Sequence, residues 1–598
     1  MAASSTAATD VLPAPVQDAV PLSTATTATT STSSARPDAH TQRYDRQLRL
    51  WASAGQTALE NARVLVVGAN GTATQTLKNL VLPGIGHFSL LSPVTSTTPS
   101  DLGTNFFLSP SSLSQPLAPS AVAHLLELNS DVSGTPLVAD VSTLTAEQVA
   151  EFSLVVLVDV EPPREAARVA ELAWERGVPL IKVVTAGFFG LIRTQVEELC
   201  FAETHPESLV DLRVHAPFPA LLEYANSFVY DQLDNAQHGH VPAVVILVKA
   251  LEEWKAAHNG ASPTGTAERR AFTDAVLKQK RQSDEENFDE AVTLFRRAGT
   301  KANVPPEVEA LFNDPACENV NASSSNFWLL LHSLRTFVRS SSSSSGAGLL
   351  PLSGALPDMK SSSSSYVALQ QLYKTKARED RDEVRRLLRE LCARLGVEED
   401  RVKEEEVESF VKHAAWVKVV RGRSLKEEEA EGRSRLKGKT GALLSAASFQ
   451  SPPDRSLYIY LALVSSTHFH ATHGRYPGSV DSATPEELEK DAQELEGIAR
   501  GVMEGWKGGE GWAEYGVEEE EVWKTVGEVC REVTRAPPST ALPQTSALLG
   551  GLVAQEAIKL ITKQYVPLGT SVAPGGGRVG GETAVWDGVR SGTGVLDA

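Results

Sequence analysis

The segment Gly68-Ala69-Asn70-Gly71-Thr72-Ala73 is set out like the glycine-rich turns that carry nucleotide phosphates, G-x-G-x-x-G/A. Gly68 suits the tight turn, and Ala73 lets a helix approach a strand. The central position, where backbone must come up against a pyrophosphate, is Asn70, so a Cβ stands where phosphate should lie. Such a site also needs an acid after the next strand to hold the ribose hydroxyls. Leu90-Leu91 is followed by Ser92, with no carboxylate before Asp101. These residues predict a turn kept for its fold and not a working nucleotide site.

Other groups capable of chemistry are few. The four cysteines, Cys200, Cys317, Cys392 and Cys530, are spread through the chain with no CxxC pair, which excludes a disulfide framework and a Cys-rich zinc site. Free cysteine is commonly buried and inert, and Cys392 lies in an amphipathic stretch. His468, His470 and His473 form H-x-H-x-x-H. On a helix, positions two apart point about 200° from each other, so three ligands do not converge, and no metal is expected. The Glu-rich runs read as solvated faces.

The elements that position the turn read β-α-β. Arg63–Val67 is a short apolar strand, Gly68–Gly71 a turn, Thr72–Leu82 a helix and His87–Leu91 a second strand. Strands follow at Leu154–Val158 and Leu180–Val184, with a helix at Ala166–Arg176 between them. The fold class is therefore α/β, a doubly wound, Rossmann-like sheet. From Phe218 to about Val533 helical periodicity dominates, as in Val384, Leu387, Leu388, Leu391 and Leu395. A small-residue helix at Ser546–Ile561 and strands around Tyr565 and Ala584 then suggest that a helical domain interrupts the α/β one. The expected organisation is a disordered tail over 1–42, the first α/β part over 43–205, an inserted α-helical domain over 206–536 and the last α/β part over 537–598. Serine tracts at Ser340–Ser345 and Ser361–Ser365, and charged stretches at Lys426–Lys439 and Glu518–Glu521, read as surface-loop insertions.

The 598-residue length calls for more than one core. The net charge of −19 argues against a nucleic-acid-binding surface. No apolar run approaches the roughly 20 residues that span a bilayer, so no membrane partner is expected. Residues 1–35 contain no Lys or Arg, which leads to an expectation of cytoplasmic and nuclear residence.

Several segments carry a resemblance. Arg43-Tyr44-Asp45-Arg46-Gln47-Leu48-Arg49-Leu50-Trp51, Lys78 to Gly86 and Asn105-Phe106-Phe107-Leu108 resemble the start of the adenylation domain of ubiquitin-like-modifier-activating enzymes. So does the late helix containing Gly550 and Gly551. Leu128 to Gly134, Asp284 to Phe288, Leu356-Pro357-Asp358-Met359, Gly474 to Gly478 and Leu560 to Gln564 bring the resemblance closest to the regulatory, non-catalytic subunits of the heterodimers that activate the NEDD-type modifier. It covers the chain from Arg43 to about Pro567.

The resemblance implies a degenerate adenylation domain, and a helical domain like a catalytic-cysteine domain without its cysteine. The implied partners are a catalytic subunit that adenylates the modifier and captures it as a thioester, the NEDD-type modifier itself and, indirectly, a conjugating enzyme. ATP and Mg would sit on the catalytic subunit, with no cofactor on this chain, and the chain would not be catalytic alone. In the family the residue matching Arg46 is placed to reach the partner's nucleotide in trans, much as an arginine finger does. Its alternative is a surface ion pair, for example with Asp45. Leu50, Trp51, Leu356, Pro357, Asp358, Met359, Gly550 and Gly551 are the expected interface residues. The sumoylation activator's non-catalytic subunit, a protein-interaction scaffold and a dinucleotide-dependent oxidoreductase are the alternative readings.

Overall fold

The computed structural model describes residues 38–204, 211–297, 304–340, 348–429, 435–480, 483–509, 511–568, 571–572, 578–579 and 582–597. Residues 1–37 of the expected tail and 341–345 of the first serine tract lie outside them. The described residues start ahead of Arg43, at Asp38. A short helix, Ala39–Arg43, is capped by Asp38 and tied down by Arg43, which donates to Asp131 at 2.7 Å and Asn129 at 2.9 Å.

The strands are β1 (Arg63–Val67), β2 (His87–Leu91), β3 (Ser133–Leu137), β4 (Leu154–Val158), β5 (Leu180–Gly187), β6 (Phe189–Gln195), β7 (Glu198–Ala202), β8 (Val417–Arg421), β9 (Thr540–Ala541), β10 (Ser571–Val572), β11 (Arg578–Val579), β12 (Glu582–Asp587) and β13 (Gly592–Asp597). The main sheet runs β13-β12-β6-β5-β4-β1-β2-β3, with β9 beside β5. β1 to β5 are parallel neighbours, whereas β6, β12 and β13 continue the sheet antiparallel. Strands covered on both faces need apolar residues throughout, and β1 and β4 supply them. Val64 and Val66 meet helices Gly71–Val81 and Pro543–Thr562 on one side, and Leu65 and Val67 meet helix Pro163–Glu175 on the other. The chain reverses its winding at β1, between β2 and β4, where a doubly wound sheet opens its crevice. Tyr565, expected in a strand, lies outside one, while Ala584 falls within β12.

The helical insertion is shorter than 206–536. After β8 the chain is already back on the α/β body, where Leu425 joins the core under helix Pro163–Glu175 and its N–H donates to Gln195 at 2.8 Å. Helices Ser456–His473, Pro485–Lys507 and Glu519–Arg535 then pack on the far part of the main sheet, against Phe189, Leu191 and Val585. Two cores make up the true insertion, and helix Ser363–Leu395 runs through both. Leu369 and Tyr373 serve one, and Val384, Leu388 and Leu391 the other.

Two loop expectations are also corrected. Ser362 accepts from the Ser365 N–H at 3.1 Å and caps that long helix, so the second serine tract is a helix start. Glu518 is the cap and Glu519–Glu521 the first turn of helix Glu519–Arg535, where carboxylates suit the helix dipole. The charged stretch from Lys426 begins inside a helix, Leu425–Glu429, and its residues 430–434 lie outside the described residues.

Candidate functional site

Gly68 turns the chain out of β1 at φ +96°, and a Cβ there would sit 2.1 Å from the Val158 carbonyl oxygen. Only glycine fits that close crossing of β1 and β4. Asn70 is the N-cap of helix Gly71–Val81, its side-chain oxygen accepting from the Ala73 N–H at 3.1 Å. Its amide nitrogen donates to Asp159 Oδ2 at 2.6 Å. Asp159 ends β4 at φ +47° and accepts from the Thr185 N–H at 2.7 Å and hydroxyl at 2.5 Å. Burial pushes its carboxyl up to about 6, against the three donors that hold it down.

The turn is closed from the other side as well. Asn105 is buried, donates to the Ala69 carbonyl at 3.1 Å and accepts from the Thr74 hydroxyl at 2.8 Å. A Cβ at Gly71 would sit 2.6 Å from the Thr104 carbonyl oxygen, and Ser546 bonds Thr72 at 3.0 Å. Ser92, at the ribose position, is buried, and its hydroxyl accepts from the Val94 N–H at 3.2 Å. The helix start that a phosphate needs open is capped by Asn70, and a carboxylate stands beside it. Asp159 was missed in the sequence. Its signal was a carboxylate directly after a fully apolar strand at the sheet's switch point.

Arg46 is exposed on the first turn of helix Asp45–Asn61, and among the described residues no carboxylate pairs with it. The ion pair offered as its alternative is not formed with Asp45, which holds Arg49 at 3.0 Å. Of the expected interface residues, Leu50 and Asp358 are exposed, Gly551 and Pro357 are half-buried, and Leu356 is half-buried against the core of the insertion. Trp51, Met359 and Gly550 are corrected. Trp51 is buried at a kink in its helix, donating to Gln56 at 3.2 Å while Gln564 holds its carbonyl at 3.0 Å. Met359 sits in the core of the insertion. Gly550 lets helix Pro543–Thr562 cross helix Gly71–Val81, since a Cβ would meet Gln75 at 2.6 Å. Two exposed apolar side chains were not singled out as contacts by sequence reasoning: Phe106, 84% exposed, which follows Asn105 and meets the Phe107 ring edge-on, and Leu548, 38% exposed, on helix Pro543–Thr562.

The cysteines are poor nucleophiles where they stand. Cys317, Cys392 and Cys530 are buried, and burial pushes Cys317 and Cys530 up to about 12. Cys200 is half-buried and raised by burial and by the Glu198 carboxylate beside it. The three histidines share helix Ser456–His473, where His473 bonds Glu494 at 2.7 Å and His470 packs on Tyr476.

Residues 44–574 match the ThiF family. Curated relatives are similar over nearly their whole length. The NEDD8-activating enzyme E1 regulatory subunit of Danio rerio is 34% identical over 88% of this chain and 95% of its own. That of Gallus gallus is 35% identical over 88% and 94%, and one from Arabidopsis thaliana is 32% identical over 88% and 95%.

Proposed function

The chain belongs to the ThiF family, in its branch of NEDD8-activating enzyme E1 regulatory subunits, and we propose that it is the half of a heterodimer that completes the adenylating subunit without binding nucleotide itself. The carrying observation is the 2.6 Å bond from Asn70 to Asp159, which fills the phosphate turn with the chain's own amide and carboxylate. ATP and Mg then belong to the catalytic subunit, which adenylates NEDD8, holds it as a thioester and hands it to a conjugating enzyme. This chain contributes surface and charge. Phe106 and Leu548 are exposed apolar side chains of the kind that anchor an interface core, and Leu50 adds to them from the N-terminal helix. Arg46, exposed and with no carboxylate paired to it among the described residues, is the cation offered to the partner's nucleotide. The closed turn also argues against a dinucleotide-dependent oxidoreductase.

The test is NEDD8-dependent exchange of pyrophosphate into ATP. The isolated chain should give none, and addition of the catalytic subunit should restore it. Robust exchange by the isolated chain overturns the reading, as does a catalytic subunit that works equally well without this chain.

A further inference from the structure

Helix Pro219–Asn226 and the N-terminal half of helix Ser363–Leu395 leave between them an open trough of about 530 Å³. One wall is a stripe of Ala368, Leu372, Thr375 and Glu379 on the long helix, recurring every three or four residues. It runs for about 16 Å, or three helical turns. The opposite wall is Ala220, Glu223, Tyr224 and Ser227, again at helical spacing. The small side chains give the trough its depth, and Leu372 and Tyr224 line it with apolar surface.

The trough is built before anything binds. Tyr224 donates its hydroxyl to the Ser365 carbonyl at 3.1 Å, and its ring meets Phe228 edge-on. Tyr373, next to Leu372, is fully buried and donates to the Leu212 carbonyl at 2.5 Å. Lys376, which also lines the trough, is neutralised by Asp380. Glu223 and Glu379 are different: both are exposed, and among the described residues neither has a cation within ion-pair distance. Both walls are helices whose backbone groups bond internally, so the trough offers no edge to a strand. It offers apolar spacing to a third helix and negative charge to basic residues on it.

We propose that this trough docks an amphipathic helix of a partner protein, with apolar side chains seated between Leu372 and Tyr224 and Lys or Arg set against Glu223 and Glu379. The trough belongs to the inserted helices and not to the Gly68 turn, so the inference stands apart from the function proposed above.

The test selects a displayed library of helix-patterned peptides of roughly 16 residues on the full-length chain. The probe is the most enriched peptide, synthesised with a fluorophore. It should carry apolar residues at i, i+3 or i+4 and i+7 flanked by Lys or Arg. Its affinity should fall about tenfold or more with Ala368→Trp, which fills the trough. Glu223→Gln with Glu379→Gln, two surface changes that leave the melting curve unmoved, should weaken it about threefold to tenfold and flatten its salt dependence. Enrichment of acidic or unpatterned peptides, binding indifferent to both variants, or no enrichment at all overturns the proposal. So does a concentration-dependent dimer of the free chain that Ala368→Trp abolishes, which would assign the trough to a second copy.

Discussion

Asn70 donates its side-chain amide to Asp159 across 2.6 Å, joining the turn after β1 to the end of β4. The same amide group caps helix Gly71–Val81 through its oxygen. One side chain thus takes up the helix start that a phosphate takes up in a nucleotide-binding turn.

Asn70→Ala is expected to destabilise the chain by about 2 kcal/mol, because a cap contributes about 1 kcal/mol and a bond to a charged group somewhat more. Asn70→Gly restores the glycine of the phosphate pattern, yet it should not confer ATP binding, since Asp159 and Asn105 still close the turn. Urea unfolding checks the first expectation and calorimetric titration with ATP the second. Micromolar ATP binding by Asn70→Gly would show that Asn70 alone keeps nucleotide out.

Asp159 gives a pH dependence of unusual sign. Its folded value of about 6 lies above the ordinary 3.8, so the folded state holds its proton more tightly. The stability this contributes is fully present below pH 4 and lost as pH rises through about 6, on the order of 3 kcal/mol. The difference in unfolding free energy between the natural chain and Asp159→Asn should therefore grow in favour of the natural chain as pH falls from about 7 to 4. A difference that does not change over that range would mean the carboxylate titrates normally.

Arg46→Ala should slow adenylation by the reconstituted heterodimer about tenfold to hundredfold, the loss of one charge-assisted hydrogen bond in the transition state. Arg46→Lys should recover part of the rate, because an ammonium cannot reproduce the planar fork. Size-exclusion of the same samples should show the heterodimer intact. Unchanged pyrophosphate exchange would reduce the chain to a scaffold.

Cys200→Ser should leave NEDD8 charging of the catalytic subunit unchanged, since the thiol is held protonated by burial and by Glu198. A gel assay of the thioester on the partner measures this. Loss of charging by a folded variant would move the nucleophile to this chain.

Phe106→Asp with Leu548→Asp should leave the isolated chain folded, as both residues face solvent, and weaken association with the catalytic subunit more than about tenfold. Isothermal titration reads the affinity. Full affinity with both changes would place the interface elsewhere.

Much of the α/β frame was legible because β1 and β4 are apolar on both faces, a pattern that a covered parallel sheet explains; the limits of β1, β2 and β4 agree with the expectation residue for residue. Asn70 and Ser92 likewise exposed the degenerate turn by residue type alone. Helical periodicity could report that residues between Phe218 and Val533 bury one face, but not which core receives it. Hence the helices after β8 were assigned to the insertion, although they cover the main sheet.

The sequence by itself determined the class of fold and the departure of the turn from the phosphate pattern, because both depend on neighbours along the chain: strand pattern, turn glycine, a Cβ at position 70. Only the tertiary structure decided what fills that turn, since Asp159 is 89 residues from Asn70 and meets it through sheet order. It also decided that Trp51 is spent on Gln564, 513 residues away, while Phe106 and Leu548 stay exposed. Burial is a property of packed elements, and no local pattern states which apolar side chain will find its partner inside the same chain.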